Sequence, residues 1–82
     1  MGFTIADQVR EQMHARRPLP PPGKLRELRL KGGLTEAGVG RIVGVSKSAI
    51  SMYESGARGG PRQGTPQRQR YLDLLEALEG LS

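Results

Sequence analysis

The stretch that decides the fold is Leu34–Gly56, which reads LTEAGVGRIVGVSKSAISMYESG. Thr35 is predicted to cap one short helix, and Ser46 is predicted to cap a second helix over residues 46–55. Gly44 lies between the two helices and allows the positive φ that a tight turn between helices usually requires. The sequence therefore predicts two short helices joined by a Gly-Val-Ser turn, with the N-terminus of the second helix free.

Further helices are predicted on both sides of this unit. Before it, residues 22–31 open with Pro-Gly and stop at Gly-Gly, which is typical of a helix. After it, the glycine-rich residues 56–64 are predicted as a loop, and Thr-Pro opens a last helix over residues 65–79. Every strong periodicity is helical, so the predicted fold class is all-α.

Apolar residues at helical spacing predict the hydrophobic core. Gly40 is expected where the two central helices cross, because a missing side chain lets two backbones approach closely. The predicted core residues are Leu25, Leu28, Val39, Ile42, Val43, Val45, Ile50, Tyr53, Tyr71, Leu74, Leu75 and Leu78.

The N-terminal part of the chain differs in composition from the rest. Residues 1–17 predict an additional helix with an apolar stripe of Ile5, Val9 and Met13. Residues 18–22 are Pro-Leu-Pro-Pro-Pro, which favours an extended, semi-rigid spacer. The expected organisation is therefore an N-terminal helix over 1–17, a Pro-rich spacer over 18–22 and a helical domain over 23–82.

Length and charge narrow the class of protein. The 82 residues suffice for one compact domain, and the formal net charge of +5 favours a polyanionic partner, nucleic acid above all. Between residues 41 and 70 the only acidic residue is Glu54. The basic residues of the same stretch are Arg41, Lys47, Arg58, Arg62, Arg68 and Arg70.

Several kinds of chemistry are not expected. The chain has no cysteine, and His14 is its only histidine, so neither a metal site nor a catalytic Ser/His/Asp set is predicted. No phosphate-binding loop, secretory signal or membrane-spanning run is evident. We therefore expect a cytoplasmic protein that is not an enzyme and uses no cofactor.

An ordered set of short motifs is similar to a known family. The motifs are Leu25-Arg26-x-Leu28-Arg29, Gly33-Leu34-Thr35, Gly44-Val45-Ser46, Ile50-Ser51, Tyr53-Glu54-x-Gly56 and Ala77-Leu78. Together they resemble the lambda-repressor/Cro-like (XRE-type) helix-turn-helix DNA-binding domain. The resemblance implies a bundle of four core helices, here with an extra N-terminal helix, and a recognition helix over 46–55 that enters the DNA major groove.

The resemblance also implies roles for individual residues. Lys47, Ser48 and Met52 would meet base edges, and Arg29 would pair with Glu54 inside the protein, with Arg29 also able to face a phosphate. The residues implied to contact the DNA backbone are Thr35, Ser46, Ala49, Ser51, Ser55, Arg58 and Arg62. For Ala49 and Ser51, contact with a thymine methyl is a further option.

The chain also departs from the family pattern. Glu36 stands where the family usually has glutamine, and a carboxylate there would repel the phosphate that glutamine binds. Gly40 stands where alanine is usual, and Gly38 and Gly40 each weaken their helix by about 1 kcal/mol relative to alanine. The loop after Gly56 is longer than usual.

The expected function is a sequence-specific transcription regulator, in the manner of small phage, plasmid or bacterial repressors, that binds double-stranded DNA as a homodimer. Two dimer faces are open: the Ile5/Val9/Met13 stripe, or the C-terminal helix around Tyr71, Leu74 and Leu81. The alternative is a protein-interaction adaptor or antitoxin that uses residues 1–17, with DNA contact secondary.

Overall fold

Four helices build the fold of this computed structural model, which describes residues 18–81. They are α1 (Pro22–Lys31), α2 (Glu36–Val43), α3 (Lys47–Ser55) and α4 (Pro66–Glu79), and the described part of the chain contains no strand. The all-α prediction is therefore confirmed. The predicted helix over 1–17, with its apolar stripe, lies outside the described residues.

Local capping sets where three of these helices begin. The Thr35 hydroxyl oxygen accepts from the Gly38 N–H at 2.9 Å, and the Ser46 hydroxyl oxygen accepts from the Ala49 N–H at 3.0 Å. Thr65 caps α4 in the same way. Each cap satisfies one backbone N–H that has no partner within its own helix. The predicted caps are confirmed, as is the left-handed turn at Gly44, whose φ is 92°.

The core lies where the four helices meet. α2 packs against α3, α1 packs against α3, and α4 packs across both α1 and α2. The rings of Tyr53 and Tyr71 lie 5.9 Å apart at its centre, and burial raises the pKa of Tyr71. The buried apolar side chains are Leu25, Leu28, Val39, Val43, Ala49, Ile50, Tyr53, Tyr71, Leu72, Leu75 and Leu78.

The predicted core needs one correction and two qualifications. Ile42 is 48% exposed, because α2 turns Val39 and Val43 inward and leaves the residue between them on the surface. Val45 and Leu74 are only partly buried, although both pack against the core. The buried residues that are absent from the predicted set include Ala49, Leu72 and Arg68.

Gly40 is required by the way α2 meets the turn that follows it. A Cβ at this position would lie 2.7 Å from the carbonyl oxygen of Val45. The Gly40 carbonyl itself accepts from the N–H groups of Gly44, at 2.7 Å, and Val45, at 2.9 Å. The turn therefore folds back onto Gly40, which explains glycine where the family usually has alanine.

The Pro-rich segment 18–22, predicted as an extended, semi-rigid spacer, also contacts the helical domain. Leu19 is partly buried against the core, and its side chain occupies the space that a Cβ on Gly60 would need. Pro22 is already the first residue of α1, and its ring lies 3.4 Å from the Cβ position of Gly56. The segment is extended before Pro22, and it packs against the helical domain through Leu19 and Pro22.

Candidate nucleic-acid interface

One face of α3 carries most of the predicted contact residues. Lys47, Ser48, Ser51 and Ser55 are exposed, and Met52 is partly exposed. The opposite face carries Ala49, Ile50 and Tyr53, all of which are buried. The helix therefore presents a polar surface, with its own N-terminus at one end, to a partner outside the domain.

Ala49 is the exception among the predicted contacts. Its side chain is only 9% exposed and belongs to the hydrophobic core. It follows Ser46 by three residues, on the inward side of the helix. The predicted contact of Ala49 with the DNA backbone or a thymine methyl stays a prediction, for which its buried side chain offers little surface.

Two hydroxyl groups mark the starts of α2 and α3. Thr35 and Ser46 are both exposed, and each accepts a capping hydrogen bond through its oxygen. A hydroxyl that accepts in this way keeps its own O–H as a donor. Each helix N-terminus also carries partial positive charge from the aligned peptide dipoles, so both positions favour an anion.

Ser55 plays a different local role at the end of α3. Its hydroxyl donates to the Met52 carbonyl at 3.1 Å and accepts from the Ala57 N–H at 3.4 Å. The donor that a phosphate would need is thus already used to close the helix. Ser55 remains exposed, but it is a weaker candidate for a phosphate contact than Thr35 or Ser46.

An internal ion pair fixes the orientation of α3. Arg29 of α1 donates to Glu54 of α3 through Nε at 2.7 Å and Nη2 at 3.1 Å, and its Nη1 donates to the Leu34 carbonyl at 3.0 Å. The hydrogen bond with Glu54 raises the pKa of Arg29. The implied pairing is confirmed, and because all three nitrogens are engaged, Arg29 is committed to the protein interior.

The loop after α3 presents two arginines. Arg58 and Arg62 are exposed, while Pro61 between them is buried. The loop is held by the Arg58 N–H, which donates to the Met52 carbonyl at 3.2 Å, and by Nη1 of Arg68, which donates to the Pro61 carbonyl at 3.0 Å. The arginines therefore project from an ordered loop directly after the exposed helix.

Arg68 is a supporting residue that the sequence reading missed. It is 6% exposed and lies beneath the loop, three residues before Tyr71 on the inward side of α4. That spacing was a usable signal, since positions 68, 71, 72 and 75 form one helical stripe. From sequence, Arg68 is instead one of the basic residues of stretch 41–70 that are expected to favour a polyanionic partner.

The charge distribution of this surface favours a polyanion. Arg41, Lys47, Arg58, Arg62 and Arg70 are all exposed. Glu54, the only acid between residues 41 and 70, is neutralised by Arg29. Within residues 41–70, therefore, no unpaired carboxylate offsets these positive charges.

The described residues offer little to other chemistries. Within residues 18–81, no three His, Cys, Asp or Glu side chains are grouped so that they could hold a metal ion. None of the helices in that range has the length and apolar character needed to cross a membrane.

Comparison with known proteins agrees with this geometry. The helix-turn-helix family model matches residues 25–65, half of the chain, which span α1, α2, α3 and the loop that follows. No curated protein and no solved structure gives a significant match. The chain belongs to the XRE/lambda-repressor-like helix-turn-helix family of DNA-binding transcription regulators.

Proposed function

We propose that this protein is a sequence-specific repressor that binds double-stranded DNA as a homodimer and reads the major groove with α3. The observation that carries the proposal is the exposed face of α3, whose orientation is fixed by the Arg29–Glu54 pair. A helix presented with a free N-terminus fits the major groove, which is about 12 Å wide. Repression then follows when the bound protein occludes a promoter.

Base contacts are assigned to three side chains on the exposed face of α3. Lys47 provides an ammonium donor that suits O6 and N7 of guanine. Ser48 donates or accepts, and so tolerates more than one base, while Met52 offers an apolar contact to a thymine methyl. Ala49 is not part of this set, because it is buried.

Backbone contacts are assigned to residues on both sides of the base-reading face. Thr35 and Ser46 would donate their hydroxyl protons to phosphates at the starts of α2 and α3. The exposed hydroxyl of Ser51 faces the same side. Arg58 and Arg62 would bind the next phosphates along the strand. Ser55 would contribute only if its hydroxyl gave up the hydrogen bond to the Met52 carbonyl.

The homodimer is proposed because one α3 helix reads only a few base pairs. Three large apolar residues of the described chain remain on the surface: Leu30 at 56%, Ile42 at 48% and Leu81 at 46% exposure. Leu30 and Leu81 belong to the same end of the domain, since Leu78 of α4 packs on Gly32 at the end of α1. Of the faces considered from sequence, the C-terminal one is retained around Leu81, but Tyr71 is 1% exposed and has no part in it.

The family resemblance suggests a phage, plasmid or bacterial origin and a cytoplasmic location close to the nucleoid. The direct test is selection of bound duplexes from a randomised pool at about 150 mM salt, where non-specific binding is weak, about 10⁻⁴–10⁻⁶ M. We expect enrichment of a palindrome whose half-sites lie about 10 base pairs apart, as two symmetry-related α3 helices require. Recovery of no preferred sequence would contradict the proposal.

A measurement of the protein's regulatory activity in cells tests the adaptor alternative. If Lys47→Ala leaves the cellular activity intact while removal of residues 1–17 abolishes it, the partner is a protein and DNA contact is secondary. If Lys47→Ala abolishes the activity, DNA reading is primary. The experiment uses the full chain for the point variant and a truncated chain beginning at Pro18 for the other.

A further inference from the structure

The Pro-rich segment 18–22 and the loop after α3 are in direct contact. Leu19 packs so closely over Gly60 that a Cβ there would overlap its Cδ1 atom. Pro22 makes a second contact at Gly56, where α3 ends. Two residues of the segment therefore touch the two ends of the stretch 56–60.

Arg68 holds the same loop through a hydrogen bond. Its Nη1 donates to the Pro61 carbonyl at 3.0 Å and lies 3.6 Å from the Cβ position of Gly60. Pro61 is itself buried. Leu19 and the Arg68 guanidinium together thus clamp the short stretch 59–61.

The clamped stretch separates the two exposed arginines of the loop. Arg58 precedes it by one residue and Arg62 follows it by one. The loop also contains four glycines, at positions 56, 59, 60 and 64, so without the clamp it would sample many backbone conformations. Binding to DNA would then have to order the loop, and that ordering lowers affinity.

We propose that Leu19 is a positioning residue for DNA binding, which acts by holding the loop so that Arg58 and Arg62 meet phosphates. The inference rests on the proposed function, because it assumes that both arginines contact DNA. It assigns to the Pro-rich segment a role in the affinity for DNA, through the loop and not through any contact of its own.

The experiment compares wild-type protein with Leu19→Ala on one selected duplex across a series of salt concentrations. We expect affinity to fall by about 3- to 10-fold and the slope of log K against log salt to become shallower by up to about 1.8, because each lost phosphate contact removes about 0.9. Leu19→Met, which refills most of the space over Gly60, should restore both values.

A double-mutant cycle separates positioning from general stability. In a protein that already carries Arg58→Ala and Arg62→Ala, Leu19→Ala should have no further effect on affinity. A loss of affinity that adds fully to the loss from the arginine variants would overturn the proposal. So would wild-type affinity and slope in Leu19→Ala.

Failure of the proposed function gives a different result. If wild-type protein selects no DNA sequence and shows no salt-dependent binding, both the function and the inference built on it fail. If wild-type protein binds but Leu19→Ala is indistinguishable from it, only the inference fails. Thermal unfolding is measured beside each variant, and Leu19→Val provides a smaller truncation if Leu19→Ala does not fold.

Discussion

The Arg29 guanidinium donates two hydrogen bonds to the Glu54 carboxylate, at 2.7 and 3.1 Å, and so joins α1 to α3. Their side chains are 13% and 5% exposed. Removing one member of such a pair leaves the other charge largely desolvated, which costs more than the pair itself contributes. The pair therefore constrains where α3 sits relative to the rest of the bundle.

Glu54→Gln is expected to lower the free energy of unfolding by about 3 kcal/mol, because Arg29 keeps its charge and loses its counterion. Urea denaturation followed by circular dichroism measures the loss. The matched control is Glu27→Gln, since Glu27 forms only an exposed pair with Lys24 at 3.7 Å. That variant should cost less than about 0.5 kcal/mol. Equal losses in the two variants would contradict the assigned role of Glu54.

Gly40→Ala is expected to destabilise the protein by about 1–3 kcal/mol, although alanine is the better helix former by about 1 kcal/mol. The reason is the 2.7 Å approach of the new Cβ to the Val45 carbonyl oxygen. Gly23→Ala in α1 is the control, because nothing lies within 4 Å of a Cβ there, and it should stabilise by about 0.4–1 kcal/mol. Thermal unfolding gives both signs, and stabilisation by Gly40→Ala would refute the close approach.

Glu36→Gln is expected to raise the affinity for DNA about 2- to 5-fold, because it removes a carboxylate from the first turn of α2, beside the proposed phosphate site at Thr35. It should also cost up to about 0.5 kcal/mol of stability, since an acid at a helix N-terminus is favourable. Fluorescence anisotropy measures the affinity. Glu79→Gln makes the same change in net charge at the last residue of α4, outside the proposed contact set, and should leave the affinity unchanged; an equal gain there would assign the effect to net charge alone.

Ser46→Ala and Thr65→Ala remove equivalent N-caps from α3 and α4. Each should lower stability by about 1 kcal/mol. Ser46→Ala should weaken DNA binding more than Thr65→Ala, because Ser46 stands at the start of the proposed reading helix, whereas Thr65 bears on the proposed contacts only through its 2.7 Å hydrogen bond to the Arg62 carbonyl. Unfolding and anisotropy measurements on the same two samples make the comparison. Equal weakening by both variants would mean that affinity follows stability and not the position of the hydroxyl.

The features that could be predicted from sequence are the ones set by neighbours along the chain. Thr35 and Ser46 cap helices through contacts only three residues away, and the left-handed turn at Gly44 needs only glycine. The Arg29–Glu54 pair spans 25 residues, and only the family resemblance indicated it.

The features that were missed depend on packing between distant segments. Ile42 and Val43 are adjacent and both apolar, so periodicity alone does not decide which of them faces the core. Ala49 shares a helix with outward residues, and its burial depends on how α3 is rotated. The composition of residues 18–22 predicts an extended segment, but the contact of Leu19 with Gly60 depends on the tertiary fold.

The central claim is that α3 reads base edges. The most direct measurement compares Lys47→Ala with Arg26→Ala on two duplexes: the selected duplex, and one in which the guanines of the selected sequence are replaced. Both variants lose one positive charge, but Arg26 lies exposed on α1 and not on α3. We predict that Lys47→Ala loses about 1–3 kcal/mol of discrimination between the two duplexes, while Arg26→Ala keeps it. Undiminished discrimination in Lys47→Ala, with binding weakened equally on both duplexes, would show that Lys47 contacts only the phosphate backbone and would contradict the account.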